Sequence, residues 1–118
     1  MLDKKSFFSS FSFAFRGIKD ALKSEPNLRI HFSIALVVAF GAFYFKFSLI
    51  EWAILTLTIT SVITLEFINT ILEKIVDIVS PEKQEKARIA KDISAAVVLL
   101  GALASVVIGL ILFLPKIF

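Results

Sequence analysis

The sequence predicts an all-α integral membrane protein, in which an N-terminal amphipathic surface helix precedes three transmembrane helices. Three observations carry that expectation. Of the 118 residues, 58% are hydrophobic, and the mean hydropathy is +0.89. Only 19% are charged, against ~25% in soluble domains. The ionisable residues are bunched between long apolar runs, whereas a soluble domain disperses them over its surface.

The first element is a helix over residues 1–25. Phe7, Phe8, Phe11, Phe15, Ile18 and Leu22 recur at three- and four-residue spacing, and Lys4, Lys5, Lys19, Asp20 and Lys23 fall between them. An aromatic face backed by a mostly basic one suits a helix lying in the lipid headgroup region. The stretch lacks the short basic start, apolar core and small-residue cleavage site of a signal peptide. Packing on a soluble core is the plainer alternative, but no such core remains elsewhere in the chain.

Pro26 interrupts that pattern, and a first apolar run from Ile30 to Phe45 defines a span over residues 28–47. The run is short for a bilayer, but Arg29 and Lys46 at its ends can snorkel to the interfaces. A second run, Phe47 to Leu65, carries Trp52 where an interfacial aromatic belongs. It continues in helical register to Ile78, giving an element over 49–78 that extends beyond the membrane. A link over 79–90, marked by Pro81 and the charged segment from Glu82 to Arg88, leads to the third span, 91–114, uncharged from Ile93 to Leu114 and closed by Pro115. Gly101, Ser105 and Gly109 form a small-residue stripe suited to close helix packing. With no repeat and no low-complexity linker, residues 1–118 read as one compact domain.

Charge sets the orientation. Lys4, Lys5, Arg16, Lys19, Lys23 and Arg29 precede the first span, and Lys83, Lys86, Arg88 and Lys91 lie between the second and third. The positive-inside rule then puts the N-terminus and that link in the cytoplasm and the C-terminus outside. The net charge of +3, from 13 basic and 10 acidic residues, therefore reads as topology and lipid attraction, not as a nucleic-acid surface. Zero cysteines exclude disulfides, thiolate zinc sites and thiol nucleophiles. A single histidine argues against a histidine-ligated metal.

Chemistry concentrates at the cytoplasmic end of the second span. At about 100° per residue, Glu73 and Asp77 each fall within about 20° of Glu66, and Asn69 within about 60°. Three carboxylates and an amide thus share one stripe. Ionisable groups in or near hydrocarbon are costly and mark function by default, so this face must meet water, a partner charge or a metal. Asp77 and Lys74 also fit a solvated helix end. Glu66 fits that less well, because it ends an uncharged run reaching back to Glu51.

Carboxylates without nearby His or Cys favour hard cations, and magnesium is usually held by one or two carboxylates plus substrate phosphates. That combination suggests nucleotide chemistry. None of the four glycines lies in a phosphate-binding loop motif, so a nucleotide would be held by charged side chains and metal. Glu25, Asn27, Arg29 and His31 cluster at the entry to the first span, and Lys91 and Asp92 open the third. A lysine at a helix start opposes the helix dipole; phosphate binding and positive-inside charge both account for it. For His31 the plainer role is that of an interfacial polar residue.

These residues resemble the small bacterial integral-membrane lipid kinases, the diacylglycerol kinase and undecaprenol kinase family, over nearly the whole chain. The most specific part is Glu66-x-x-Asn69-Thr70-x-x-Glu73-x-x-x-Asp77 with Ala90-Lys91-Asp92 beyond it and Glu25 upstream. Glu25-Pro26-Asn27-Leu28-Arg29-Ile30-His31 looks more like the Gram-positive branch, whose members mainly phosphorylate undecaprenol.

The resemblance implies a homotrimer of three-span subunits in the bacterial cytoplasmic membrane, with active sites shared between subunits at the cytoplasmic interface. It implies ATP as co-substrate, Mg2+ as cofactor and a membrane lipid alcohol as acceptor, either undecaprenol or diacylglycerol. Carried over by position, Glu66 would be the general base, and Glu25 and Glu73 would bind magnesium. The nucleotide would meet Glu25, Glu73, Asp77, Glu82, Lys83, Gln84, Lys91 and Asp92, while Asn69 would orient groups beside the base. Phe13 stands where some members have a nucleotide-contacting Tyr, and Ala95 where some have a Ser near the lipid.

Two other readings use the same residues. A small proton-coupled transporter would make Glu66 a proton carrier, but has no need of Glu25, Glu73, Lys91 and Asp92 together at one boundary. A non-catalytic scaffold would use the polar stripe only for subunit packing.

Overall fold

The computed structural model describes residues 4–118, with side chains from residue 6 onward, and is helical almost throughout: α1 (Lys4–Ser24), α2 (Pro26–Tyr44), α3 (Leu49–Val79) and α4 (Glu85–Ile117). Residues 1–3 of the expected first helix, and the side chains of Lys4 and Lys5, lie outside the described residues. Three helices, α2, α3 and α4, are long and apolar enough to cross a membrane.

Local chemistry explains each boundary. Pro26 occupies the first turn of α2, where its missing N–H costs nothing and its fixed φ suits a helix start. The Arg29 guanidinium reaches back to donate to the carbonyls of Leu22 and Lys23 at 2.9 and 3.0 Å, satisfying the open end of α1 with a cation. Leu28 and Ala21, both buried, close the same joint. Glu25, between the two helices, is held there by this joint.

At the other end of α2 the chain reverses through Lys46, at φ 56°. The Lys46 N–H donates to Phe43 O and the Phe47 N–H to Ala42 O, which is the Schellman arrangement. Ser48 then starts α3 with a capping box: its hydroxyl accepts from the Glu51 N–H at 3.2 Å, and the Glu51 carboxylate accepts from the Ser48 N–H at 2.8 Å.

The seam between α3 and α4 organises the molecule. Glu51 meets Lys116, Leu65 lies against Gly101, Asn69 meets Ser94 and Asp77 meets Lys91, an order that makes the two helices antiparallel along their length. A Cβ at Gly101 would stand 2.6 Å from Leu65 Cδ1, whereas one at Gly109 would meet nothing within 4 Å. Of the small-residue stripe, Gly101 is the member that brings the helices close; Ser105 turns its hydroxyl onto its own helix, at Ala102 O.

Hydrophobic burial concentrates where α2 ends and α3 begins. Ala42, Phe47, Leu55 and Leu112 form the core, with Phe45, Trp52 and Phe113 packed around it. The Phe47 ring stands 4.8 Å from that of Phe113 and 6.1 Å from that of Trp52. Lys116 caps this end, 2.9 Å from Glu51 and over the face of Phe47.

Two boundaries differ from the sequence expectation. The link between the second and third apolar helices is only residues 80–84, because α4 begins at Glu85. Arg88 pairs with both Glu85 and Asp92, three and four residues away, and such pairs support a helical turn in a segment that reads as a charged loop. Pro115 also does not end α4, which continues to Ile117 with the Phe118 N–H donating to Leu114 O. So close to the end, a proline forfeits little of the hydrogen-bond ladder.

Candidate active site

Among the described residues, six hydrophobic side chains are buried and four polar ones: Glu66, Asn69, Thr70 and Ser94. The polar four sit together at the end of the α3/α4 seam opposite the aromatic core. Burying polar groups costs free energy unless they are paired, and these groups are paired. The Ser94 hydroxyl donates to Asn69 Oδ1 at 2.6 Å, the Asn69 Nδ2 donates to Glu73 Oε1 at 3.2 Å, and the Thr70 hydroxyl donates to the Glu66 carbonyl at 3.1 Å. No fully enclosed side-chain N or O among the described residues lacks a partner.

Glu66 is the most enclosed carboxyl of the stripe, 3% exposed. Its Oε2 lies 3.7 Å from His31 Nε2 on α2, and the charges of Glu73 and Glu25 also act on it. The joint between α1 and α2 therefore brings Glu25 into the electrostatic neighbourhood of Glu66, although the two are 41 positions apart in the chain.

From Glu66 the stripe opens toward solvent. Glu73 is half-buried and Asp77 exposed. Beyond them lies a cleft of about 390 Å³ between the end of α3, the link and the start of α4. Asp77, Glu82, Lys83, Gln84, Lys91 and Asp92 all line it. Lys91 Nζ sits 2.5 Å from Asp77 Oδ1, and Arg88 donates to Asp92 Oδ2 at 2.7 Å. Both signs of charge are thus held on an open wall, where a polyanion can exchange with the carboxylates for the cations.

The sequence-predicted residues are therefore partly assembled. Glu66, Asn69 and Glu73 lie together on α3, with Glu25 acting on Glu66 through its charge, and the six cleft residues line the space beyond them. Phe13 is in neither: it is exposed on α1, with the Arg16 guanidinium 5.5 Å from its ring centroid. Ala95 is exposed on α4, beside Ser94.

Two contacts went unread in the sequence. Ser94, one position before Ala95, carries a buried hydroxyl. His31 faces Glu66 instead of only the interface. The available signal for Ser94 was its place three residues after Lys91, on the same side of α4.

Magnesium fits this donor set. Among the described residues, no group of three or more acidic or histidine side chains forms a cage of its own. One or two carboxylates beside a cleft for phosphates is the form in which Mg2+ is ordinarily held. Glu73, half-buried on the stripe and hydrogen-bonded to Asn69, is a carboxylate of that kind.

The profile of the prokaryotic diacylglycerol kinase family matches residues 12–113. The undecaprenol kinase of Bacillus subtilis is 39% identical over 110 residues, covering 93% of this chain and 89% of the relative. The diacylglycerol kinase of Synechocystis is 40% identical over 107 residues, 90% of this chain; the match spans 61% of that relative, less than two thirds of its length. The diacylglycerol kinase of Helicobacter pylori is 31% identical over 97 residues, covering 82% of this chain and 76% of the relative. A three-span helical chain with an enclosed carboxyl beneath a charged cleft, matched by the family profile across most of its length, belongs to the prokaryotic diacylglycerol kinase family: it is a membrane-associated lipid kinase.

Proposed function

We propose that this kinase transfers the γ-phosphate of ATP, with Mg2+, to the primary hydroxyl of undecaprenol, giving undecaprenyl phosphate. Diacylglycerol is the alternative acceptor, giving phosphatidic acid. The observation that carries the reading is the stacking of two sites: an enclosed carboxyl, Glu66, beneath a cleft lined by Lys91 and Asp92. Undecaprenol is preferred over diacylglycerol because the Bacillus relative, matched over 93% of the chain, is an undecaprenol kinase.

In this mechanism Glu66 accepts the proton of the attacking lipid hydroxyl. Asn69 orients groups beside it. Glu73 and Glu25 would hold the metal, which would supply charge neutralisation to a transfer that depends mostly on positioning and electrostatics. Lys91 and Asp92, with Asp77, Glu82, Lys83 and Gln84, hold the nucleotide. Lys91 exchanges Asp77 for a phosphate oxygen, a contact of opposite charges that a lysine makes as a point charge. Phe13 is placed for a nucleotide contact and Ala95 for the lipid, both by resemblance.

The same reading sets the surroundings. The chain is one lipid-kinase domain, with α1 on the cytoplasmic surface of the membrane and its phenylalanines toward the lipid. The N-terminus and the cleft face the cytoplasm, a reading supported by the basic residues near them. Three copies assemble, which supplies neighbours for the largely unburied faces of α2 and α4.

The test is transfer of labelled γ-phosphate from ATP to undecaprenol and to diacylglycerol, each presented in mixed micelles with Mg2+. Wild type is expected to label undecaprenol preferentially, and Glu66→Gln is expected to abolish labelling. No product on either alcohol from folded, oligomeric protein would overturn the proposal and favour a proton-carrying role for Glu66.

A further inference from the structure

Ser94 belongs to the site, although nothing in the stripe on α3 points to it. The residue is 5% exposed, on a helix whose neighbouring surface is mostly open. Its hydroxyl is aimed across the seam at Asn69, itself 8% exposed. A carboxamide has two different ends: Oδ1 accepts and Nδ2 donates. Which end faces which neighbour decides what the group can do.

The neighbours determine the answer. Asn69 lies between Ser94 Oγ at 2.6 Å and Glu73 Oε1 at 3.2 Å. With Oδ1 toward Ser94, the amide accepts from the hydroxyl and donates to the carboxylate, and both contacts are attractive. Turned over, Oδ1 would face the Glu73 carboxylate, placing acceptor against acceptor. A hydroxyl can donate or accept, so the arrangement that satisfies all three groups is the observed one. Removing the Ser94 hydroxyl leaves Oδ1 buried with its donor gone, and the amide is then held by its bond to Glu73 alone and is freer to move.

We propose that Ser94 is a positioning residue for phosphoryl transfer: through its hydrogen bond from α4 it holds the Asn69 amide so that Nδ2 is presented to the Glu73 carboxylate. This inference rests on the kinase reading of the site. Ser94 acts through Asn69, as outer-shell partners of a metal carboxylate do, where losses of 10- to 100-fold are usual (about one to two decades). It also gives α4 a second task in the site: Lys91 at the cleft and Ser94 beneath it work on the two ends of the same acidic row.

The experiment combines kinetics with a direct view of the amide in full-length protein. Wild type, Ser94→Ala, Ser94→Thr, Asn69→Ala and the double variant Ser94→Ala/Asn69→Ala are assayed for phosphate transfer across a Mg2+ titration. The Asn69 side-chain NH2 signals are followed by 15N NMR, assigned by their loss in Asn69→Ala. Ser94→Ala is expected to lower kcat about tenfold and raise the Mg2+ concentration for half activity. It should also shift the Asn69 NH2 signals and speed their exchange with solvent. Ser94→Thr, which keeps the hydroxyl, should restore the Mg2+ requirement and the amide signals toward wild type.

In the Asn69→Ala background, Ser94→Ala should bring no further loss. An equal loss there would show that Ser94 acts independently of Asn69 and overturn the proposal. So would a Ser94→Ala protein with unchanged amide signals, or one with unchanged rate and Mg2+ requirement. A wild type that phosphorylates neither alcohol would overturn the kinase reading instead, and the amide signals would still report whether Ser94 orients Asn69.

Discussion

The two ends of the α3/α4 seam solve opposite problems with the same pair of helices. At one end Ala42, Phe47, Leu55 and Leu112 bury hydrocarbon, three aromatic rings fill in around them, and the polar groups are confined to the rim in a capping box and the Glu51 to Lys116 ion pair. At the other end, Glu66, Asn69, Thr70 and Ser94 occupy the interior. Apolar contacts would hold the second end together at lower cost, because buried polar groups must first be stripped of water. Enclosing a carboxyl there is explicable by its chemistry. Hydrocarbon burial thus belongs to one end of the seam and buried polar chemistry to the other.

The sharpest way to break that comparison is to exchange the two kinds of loss. Glu66→Gln keeps size and shape, and is expected to cost at least about 100-fold in phosphate transfer, as loss of a general base does, with an unchanged denaturation midpoint. A large fall in the midpoint would mean that the carboxyl is structural. Leu55→Ala is the converse. It should destabilise the fold by at least about 2 kcal/mol, from lost burial and a residual cavity, while transfer per folded molecule stays near wild type. Thermal denaturation in detergent, read beside specific activity, checks both variants.

Smaller changes at the rim of the aromatic end sharpen the contrast. Glu51→Gln removes the charge that Lys116 meets and weakens the capping box, so a modest fall in midpoint is expected, smaller than that of Leu55→Ala, with activity unaffected. Lys46→Gly should act in the opposite direction. Lys46 holds a left-handed backbone at φ 56°, a conformation that disfavours a side chain by about 1 kcal/mol, so glycine should raise the midpoint slightly. A fall instead would show that the lysine side chain contributes more at this turn than its backbone costs.

Much of this was legible in the residues, for physical reasons that differ by element. The apolar helices follow from uninterrupted hydrophobic runs, and the acidic row follows from helical periodicity alone, since Glu66, Glu73 and Asp77 need only one helix to share a face. The family was legible from the same spacing together with Lys91 and Asp92. Contacts between helices were not. Ser94 reaching Asn69, and His31 facing Glu66, depend on the register of α4 and α2 against α3, which no single helix encodes. The early start of α4 was hidden by composition: the segment from Glu82 to Arg88 is as charged as a loop, yet Arg88 uses those charges to pair along a helix.

The length of α3 makes it a ruler. Measured along the axis from Ser48, Glu66 stands about 27 Å away and Glu73 about 37 Å, at 1.5 Å per residue. A hydrocarbon layer is about 30 Å deep. Laid straight across such a layer with Ser48 at one rim, the helix would carry Glu66 to just inside the opposite boundary and Glu73 to just outside it. On the proposed reaction, the separation between them would be the step from oil to water that a lipid hydroxyl spans to meet a phosphate. In a thinner membrane both carboxylates would stand in water, and in a thicker one both would sink. On the proposed reaction, the reach of the site would be matched to the sheet of lipid around it, and bilayer thickness would become one of its operating parameters.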